Sequence, residues 1–499
     1  MTHFKEIFRN KLEDLFAIDF RSLALLRMGM GLLIIVDLLM RSADLREHYT
    51  DLGIFPRAAA WEFFAHRGLW SIHVINGSVL FEGILFFLAG FFALALIVGY
   101  RTRLVTFVSW ALLVSLHARN YLILISADLL LRMLLFWSIF LPLGERWSVD
   151  SILHPEKRSS QKRICSMASG ALLFQVALMY FVAGFSKVNA VWNSGQALLY
   201  IFSLDTFGGG MGRYLLHWPG FVKEISKVVP WFEMSGAVLS FLPIFTKQLR
   251  VVLVVVFILF HAVVELCMKN LGIFSYVSML AWIAFVPTFF WDRIWRENLQ
   301  PGISVTSQVP EDVKIWNNRI IHGLVSFFLI YTLILNLEDV QWIKQRKKNF
   351  KIIPPFMRWI GSSAFLQQKW HMFNFPPKEN IWYIIAARLK DGTSVDIYSG
   401  QEPVFSEESK IPAQKHIIKN YRWEKFYSNL LTPERSKYWK YLLDYDCHQW
   451  NISHLESKKI EFATVYRIGQ SAFPISKNIP YIRPFFKKDY SDAEGKKNK

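Results

Sequence analysis

The chain has 499 residues, 53% of them hydrophobic and 16% aromatic, with 57 Lys and Arg against 39 Asp and Glu. That apolar content excludes a disordered polyelectrolyte. The net charge of +18 is read as basic loops flanking apolar spans rather than as a nucleic-acid surface. Three cysteines, Cys165, Cys267 and Cys447, have the spacing of neither a zinc site nor a disulfide framework. Cys165 and Cys267 are expected to pack at membrane segments.

In chain order, residues 1–21 form a short cytoplasmic segment. Glu6, Glu13, Asp14 and Asp19 precede any apolar run, which is not the pattern of a cleavable signal peptide. Apolar runs of about the length of a bilayer core then mark nine candidate spans: 22–40, 78–98, 104–116, 122–143, 169–186, 229–246, 250–268, 271–291 and 320–336. The expected fold is mainly α, a polytopic transmembrane bundle over 22–336 with a small C-terminal α+β soluble domain over 350–486. The partner of the bundle is the lipid bilayer.

Basic residues set the expected orientation. Clusters such as Lys157, Arg158, Lys162 and Arg163 fall on one side together with the N-terminus. Nine spans put the C-terminal domain on the other, outer side. Lys344, Arg346, Lys347, Lys348 and Lys351 follow the last span and pull the opposite way. Loops 41–77 and 187–228, rich in Trp, Phe and His, read as lids on the outer face.

In the soluble part, 381–389 and 393–398 are strand-like around an Asp391-Gly392 turn. Residues 459–468 form another predicted strand, 433–450 a helix, and 487–499 a charged, disordered tail.

Ionisable side chains inside spans are expensive, and each is a functional candidate. They are Arg27, Asp37, Glu82, Asp128, Arg132, Lys187, Glu233, His261, Glu265 and His322. Lys187 ends one span and precedes Trp192. It reads either as a snorkelling lysine or as a buried base. His261 and Glu265 share a helix face one turn apart, as a relay, half a metal site or one internal hydrogen bond. No spacing supplies a third ligand, so no metal is assigned. Asp128 and Arg132 are expected to form an ion pair, and Arg27 and Asp37 to bond to other helices. Gly208 to Gly212 lacks the Lys-Ser/Thr ending of a phosphate loop.

Three stretches carry a family resemblance: Ser22–Gly31 running to Tyr49-Thr-Asp-Leu-Gly-Ile-Phe-Pro56; Trp147-Ser-Val-Asp150 followed by Tyr180-Phe-Val-Ala-Gly-Phe-Ser-Lys187 and Trp192; and Phe260-His261 followed by Gly272-Ile-Phe-Ser-Tyr276. Over roughly residues 15–300 the chain resembles the vitamin K-dependent γ-carboxylase-like proteins, which share the horizontally transferred transmembrane (HTTM) domain. The resemblance implies a lyase chemistry of glutamate carboxylation. Lys187 would be the catalytic base acting on reduced vitamin K or another membrane quinol, with carbon dioxide and oxygen as co-substrates and a secreted peptide or protein as substrate partner. It implies Asp128, Trp192, His261, Glu265 and Tyr276 as supporting pocket residues, and a multi-pass protein of a bacterial inner membrane. Ser186 replaces one lysine of the family's pair. The family's Asn-His pair before Trp147 is not matched: that region reads Ser126-Ala127-Asp128, or His117 and Asn120 on a looser alignment. The alternative is a non-catalytic maturation or export factor for a secreted peptide or toxin.

Overall fold

The computed structural model describes residues 2–65, 67–157, 159–295, 318–339, 351–403, 419–473 and 481–490. Every predicted span contains helix, although 122–143 and 229–246 are helical only in part. The bundle contains α1 (Phe20–Ser42), α2 (Val79–Val98), α3 (Thr102–Arg119), α4 (Ser126–Ser138), α5 (Met167–Ser186), α6 (Pro219–Leu239), α7 (Thr246–Cys267), α8 (Phe274–Trp282) and α9 (Arg319–Asp339). Five of them, α1, α2, α5, α7 and α9, are individually long and apolar enough to cross a membrane. The pair Phe274–Phe285 and Thr288–Ile294, bent by 98°, makes a sixth if taken together.

The other three are helices of a different kind. α4 has 13 residues and rises about 20 Å, short of the roughly 30 Å hydrocarbon core. It is buried along almost its whole length, at the centre of the bundle. α6 starts at Pro219, ten residues before the predicted span, because Pro is tolerated in the first helical turn. Its early turns carry Lys223, Glu224 and Lys227. The predicted outer loop 187–228 is therefore partly helix.

Exposure separates lipid-facing from inner helices. The apolar windows of α2, α7 and α9 are 28%, 28% and 22% buried, against 67% for α5. Leu80, Ile84, Phe87, Phe91 and Leu94 of α2 all face outward. In water such a stripe would be an aggregation surface, whereas in lipid it costs nothing.

Caps define the helix ends. The Ser78 hydroxyl accepts from Phe81 N–H at the start of α2, and Gly99, at φ +73°, ends it. Arg27 fulfils the expectation of bonding to other elements. Its guanidinium donates to the Leu96, Ile97 and Trp147 carbonyls and so satisfies the end of α2. Cys267 is buried as expected, but Cys165 is exposed, because it lies in the connection before α5 rather than in the helix.

The C-terminal part is an antiparallel sheet of β1 (Glu379–Leu389), β2 (Ser394–Asp396), β3 (Ile460–Ser471) and β4 (Tyr481–Asp489), in the order β2-β1-β3-β4, with α10 (Tyr421–Leu430) and α11 (Trp439–Ser453). The α+β expectation holds here, including the Asp391-Gly392 turn, where Gly392 has φ +86°. Three details differ. The predicted 433–450 helix begins as regular helix at Trp439, α10 has no counterpart in the sequence reading, and residues up to Asp489 belong to β4 rather than to a tail. Residues 491–499, and the cluster Lys344 to Lys348, lie outside the described residues.

This sheet domain packs on the bundle end formed by the loops after α1, α3, α5 and α7. Gln175 donates to Gln368, Asp205 N–H to Asn380, Asn429 to the Leu122 carbonyl and Trp70 to the Ser363 carbonyl. The buried apolar side chains of bundle and sheet domain form one continuous core cluster.

Candidate functional site

Lys187 is the C-cap of α5, its N–H directed at the Gly184 and Phe185 carbonyls. Asn189 then caps the short helix Ala190–Asn193 by accepting from the Val191 and Trp192 N–H groups. This turns Trp192 back toward the helix end. Opposite, α6 comes close because Gly184 has no side chain: a Cβ there would lie 2.6 Å from the Pro230 carbonyl oxygen. The close crossing sets Glu233 against Lys187.

Lys187 Nζ lies 2.7 Å from Glu233 Oε2, and the two residues are only 4% and 7% exposed. The ammonium also sits 5.8 Å from the centre of the Trp192 ring. Trp192 Nε1–H donates to the Phe373 carbonyl at 2.9 Å, so the C-terminal domain fixes the ring. Across the space, the Tyr180 hydroxyl and His261 Nε2 are 2.5 Å apart. His261 Nδ1 is buried with no partner among the described residues.

These groups edge a cavity of about 490 Å³, lined elsewhere mostly by apolar side chains such as Phe221, Val229, Phe232, Phe260 and Phe274, with Glu224 and Ser126 also bordering it. A buried pair in such surroundings is costly to desolvate and is held only while both partners remain. With few competing dipoles, a proton at Lys187 or Glu233 responds strongly to any polar group that enters.

The sequence profile of the HTTM domain matches residues 16–291, more than half of the chain. The protein belongs to the HTTM family. The match covers α1 to α8 and every bundle residue of the cavity, in keeping with the γ-carboxylase-like resemblance of the sequence. No solved structure matches the chain.

Not all expected pocket residues of this HTTM bundle converge. Lys187, Trp192 and His261 line the cavity; Glu265, Tyr276 and Asp128 do not. No hydrogen bond joins His261 to Glu265, since His261 Nε2 is taken by Tyr180 and the Oε2 atom of Glu265 has no partner among the described residues. Tyr276 is 50% exposed on the bundle surface. Glu233, counted among the buried ionisable groups but not joined to Lys187, is its partner. Periodicity within one helix carries no information about which helix lies opposite.

Asp128 belongs to a second buried cluster. The Arg41 guanidinium bridges Asp37 at 2.7 Å and Asp128 at 2.6 Å. Arg422, from α10 beyond the HTTM match, enters between the same carboxylates, pairing with Asp37 and lying 3.1 Å from Asp128. Arg132 does not pair with Asp128 as expected; it contacts His117 Nδ1 at 3.0 Å. Burial works against the Arg422 charge, but Asp128 and Asp37 outweigh it and hold its pKa well above the ordinary value. Asp37, His117 and Asp128 bring ligand atoms within 4.8 Å of one another. Two guanidinium groups already supply the positive charge that a cation would bring, so this set does not fit a metal. The cluster is a docking joint between bundle and sheet domain.

Proposed function

We propose that this HTTM protein is a quinol-linked, γ-carboxylase-like membrane enzyme, with Lys187 as the base and Glu233 as its proton partner. The observation that carries the reading is the buried Lys187–Glu233 contact of 2.7 Å at a polar corner of a mostly apolar cavity. About 490 Å³ is within the usual range of small-molecule sites, roughly 300–1,000 Å³. A ring with a hydrocarbon tail suits that lining, with its hydroxyl at the polar corner.

A bound hydroquinone would supply an acidic hydroxyl and the reducing power by which oxygen generates a base strong enough for glutamate carboxylation. The residues of the chain do the rest. Lys187 is placed to accept the hydroxyl proton, and Glu233, 2.7 Å away, to share it. Tyr180 and His261 form a second proton-holding pair across the cavity. The aromatic walls exclude water, which protects any strong base formed there. In this reading the bundle spans a bacterial inner membrane, with the N-terminus in the cytoplasm and the cavity and sheet domain outside.

The test uses the purified protein in a quinol epoxidation assay, with lipid extraction for bound quinone. Lys187→Ala and Glu233→Gln should each lower turnover at least about a hundredfold. Full activity in Lys187→Ala sinks the reading.

A second reading is favoured by the completeness of the Lys187 contacts: a lysine paired with Glu233 and set against Trp192 is also what a purely structural joint looks like. The protein would then be a maturation or export factor whose sheet domain binds a secreted peptide. Absence of any quinone in gently extracted protein, with no epoxidation by the unaltered chain, would favour it.

A further inference from the structure

A second cavity, of about 750 Å³, opens between the bundle and the sheet domain, and Ser126 borders both cavities. Its lining differs from the first in one respect. Arg67, Arg132, Lys369, Lys425 and Arg435 converge on it from the loop before α2, from α4, from the connection to β1, from α10 and from the turn after α10; Glu434, an opposing carboxylate, and Lys437, which pairs with Glu62, complete the charged lining.

Among the described residues none of these five cations has an ion pair with a carboxylate. Three rest on ring faces instead: Arg67 over Phe63 at 4.4 Å, Arg132 over Phe365 at 4.3 Å and Arg435 over Tyr121 at 5.3 Å. A ring face meets a guanidinium from one side; one edge N–H of each is taken, by the Phe63 carbonyl for Arg67, by His117 Nδ1 for Arg132 and by Asn429 Oδ1 for Arg435, and the other edge N–H groups are left available. Arg132 is 1% exposed, and its Nε–H has no partner among the described residues. A donor left unpaired at that depth is a polar group waiting for an acceptor. Burial holds the Lys425 ammonium below its ordinary pKa; Glu424 opposes this, while Arg435 and Lys369 add to it. Like charges that crowd one cavity in this way are relieved by an anion.

We propose that this cavity binds a multiply charged phosphoryl anion, either a soluble phosphate ester or the phosphate headgroup of a lipid. Convergence from five segments onto a small volume favours a compact anion with several oxygens over an extended acidic peptide, which needs a groove. Guanidinium forks and ammonium groups together match phosphate oxygens. The site stands independently of the quinol reading, because it shares no titratable residue with the first cavity.

The test is the melting temperature of the full-length protein, with inorganic pyrophosphate titrated at ionic strength held constant by sodium chloride. Pyrophosphate should raise the melting temperature saturably. The double variant Lys369→Gln/Lys425→Gln should bind it at least tenfold more weakly while melting, without anion, no lower than the unaltered chain. Stabilisation in phosphatidylglycerol nanodiscs over phosphatidylcholine ones, lost in the same variant, would support the site with a lipid source. A pyrophosphate response without that difference would support it with a soluble source. A response no larger than that to chloride, unchanged binding in the variant, or a response to a glutamate-rich peptide but not to pyrophosphate would overturn the proposal.

Discussion

Lys187 and Glu233 hold each other in surroundings where neither charge is tolerated alone. Removing one leaves the other buried and unpaired, a loss of about 3–5 kcal/mol, whereas replacing both by apolar groups of similar size is close to neutral. Lys187→Met should therefore lower the melting temperature in detergent, and Lys187→Met/Glu233→Leu should regain most of it. A double variant no more stable than the single one would mean that the pair is not the stabilising contact. Trp192 depends on a backbone acceptor, the Phe373 carbonyl. That acceptor comes from a segment far along the chain, beyond the helix that Trp192 follows. Asp446 in α11 accepts from the Tyr398 hydroxyl at 2.5 Å. Burial pushes its carboxyl up to about 7, against that hydrogen bond. The folded protein thus binds this proton more tightly than the unfolded chain, whose carboxyl titrates near about 4. Its contribution to stability is complete below that value and is lost as pH rises through 7. Asp446→Asn should flatten the fall in melting temperature between pH 5 and pH 8; an unchanged slope would refute the assignment.

At the scale of elements, two contacts decide how helices meet. Gly31 of α1 lies so close to α2 that an added Cβ would stand 2.7 Å from the Ala93 carbonyl oxygen and 2.6 Å from Ile97 Cγ1. A small residue is what lets two helices approach in lipid, where no hydrophobic force drives them together. Gly31→Leu should reduce the yield of folded protein severalfold in fluorescence-detected size exclusion, and normal yield would show the crossing to be adaptable. The other contact is α10 with the bundle. Arg422 reaches two carboxylates from two helices, a geometry that suits a guanidinium fork and not a single ammonium. Arg422→Ala leaves Asp37 and Asp128 with Arg41 alone. Amide exchange over Tyr421–Leu430 should then accelerate at least tenfold, and Arg422→Lys should restore little of the protection. Protection equal to the unaltered chain would argue against a docking role.

At the scale of the whole molecule, the lysine cavity, the charge joint and the sheet domain that completes both share one bundle end. The HTTM match stops at residue 291, and Phe373 and Arg422 lie beyond it, so both sites of the matched domain are completed by a later part of the chain. Much was legible in the sequence. Apolar runs mark the five helices that are long and apolar enough to cross a membrane, because a helix in lipid must satisfy its own backbone. Strand-like runs on either side of Asp391-Gly392 identify a hairpin. Charge inside apolar runs picks out Lys187, Glu233, Asp128 and His261 as residues with something to do. The sequence could not say which of these meet. Lys187 with Glu233, Tyr180 with His261, and Arg422 with Asp37 are separated by 46, 81 and 385 residues, and such pairings depend on helix crossings that no local pattern encodes. The same limit explains why Glu265 and Tyr276, well placed on paper, point away from the cavity. Local chemistry determined where helices start, stop and carry charge; only the packing of one element on another decided which charges are partners and which face lipid.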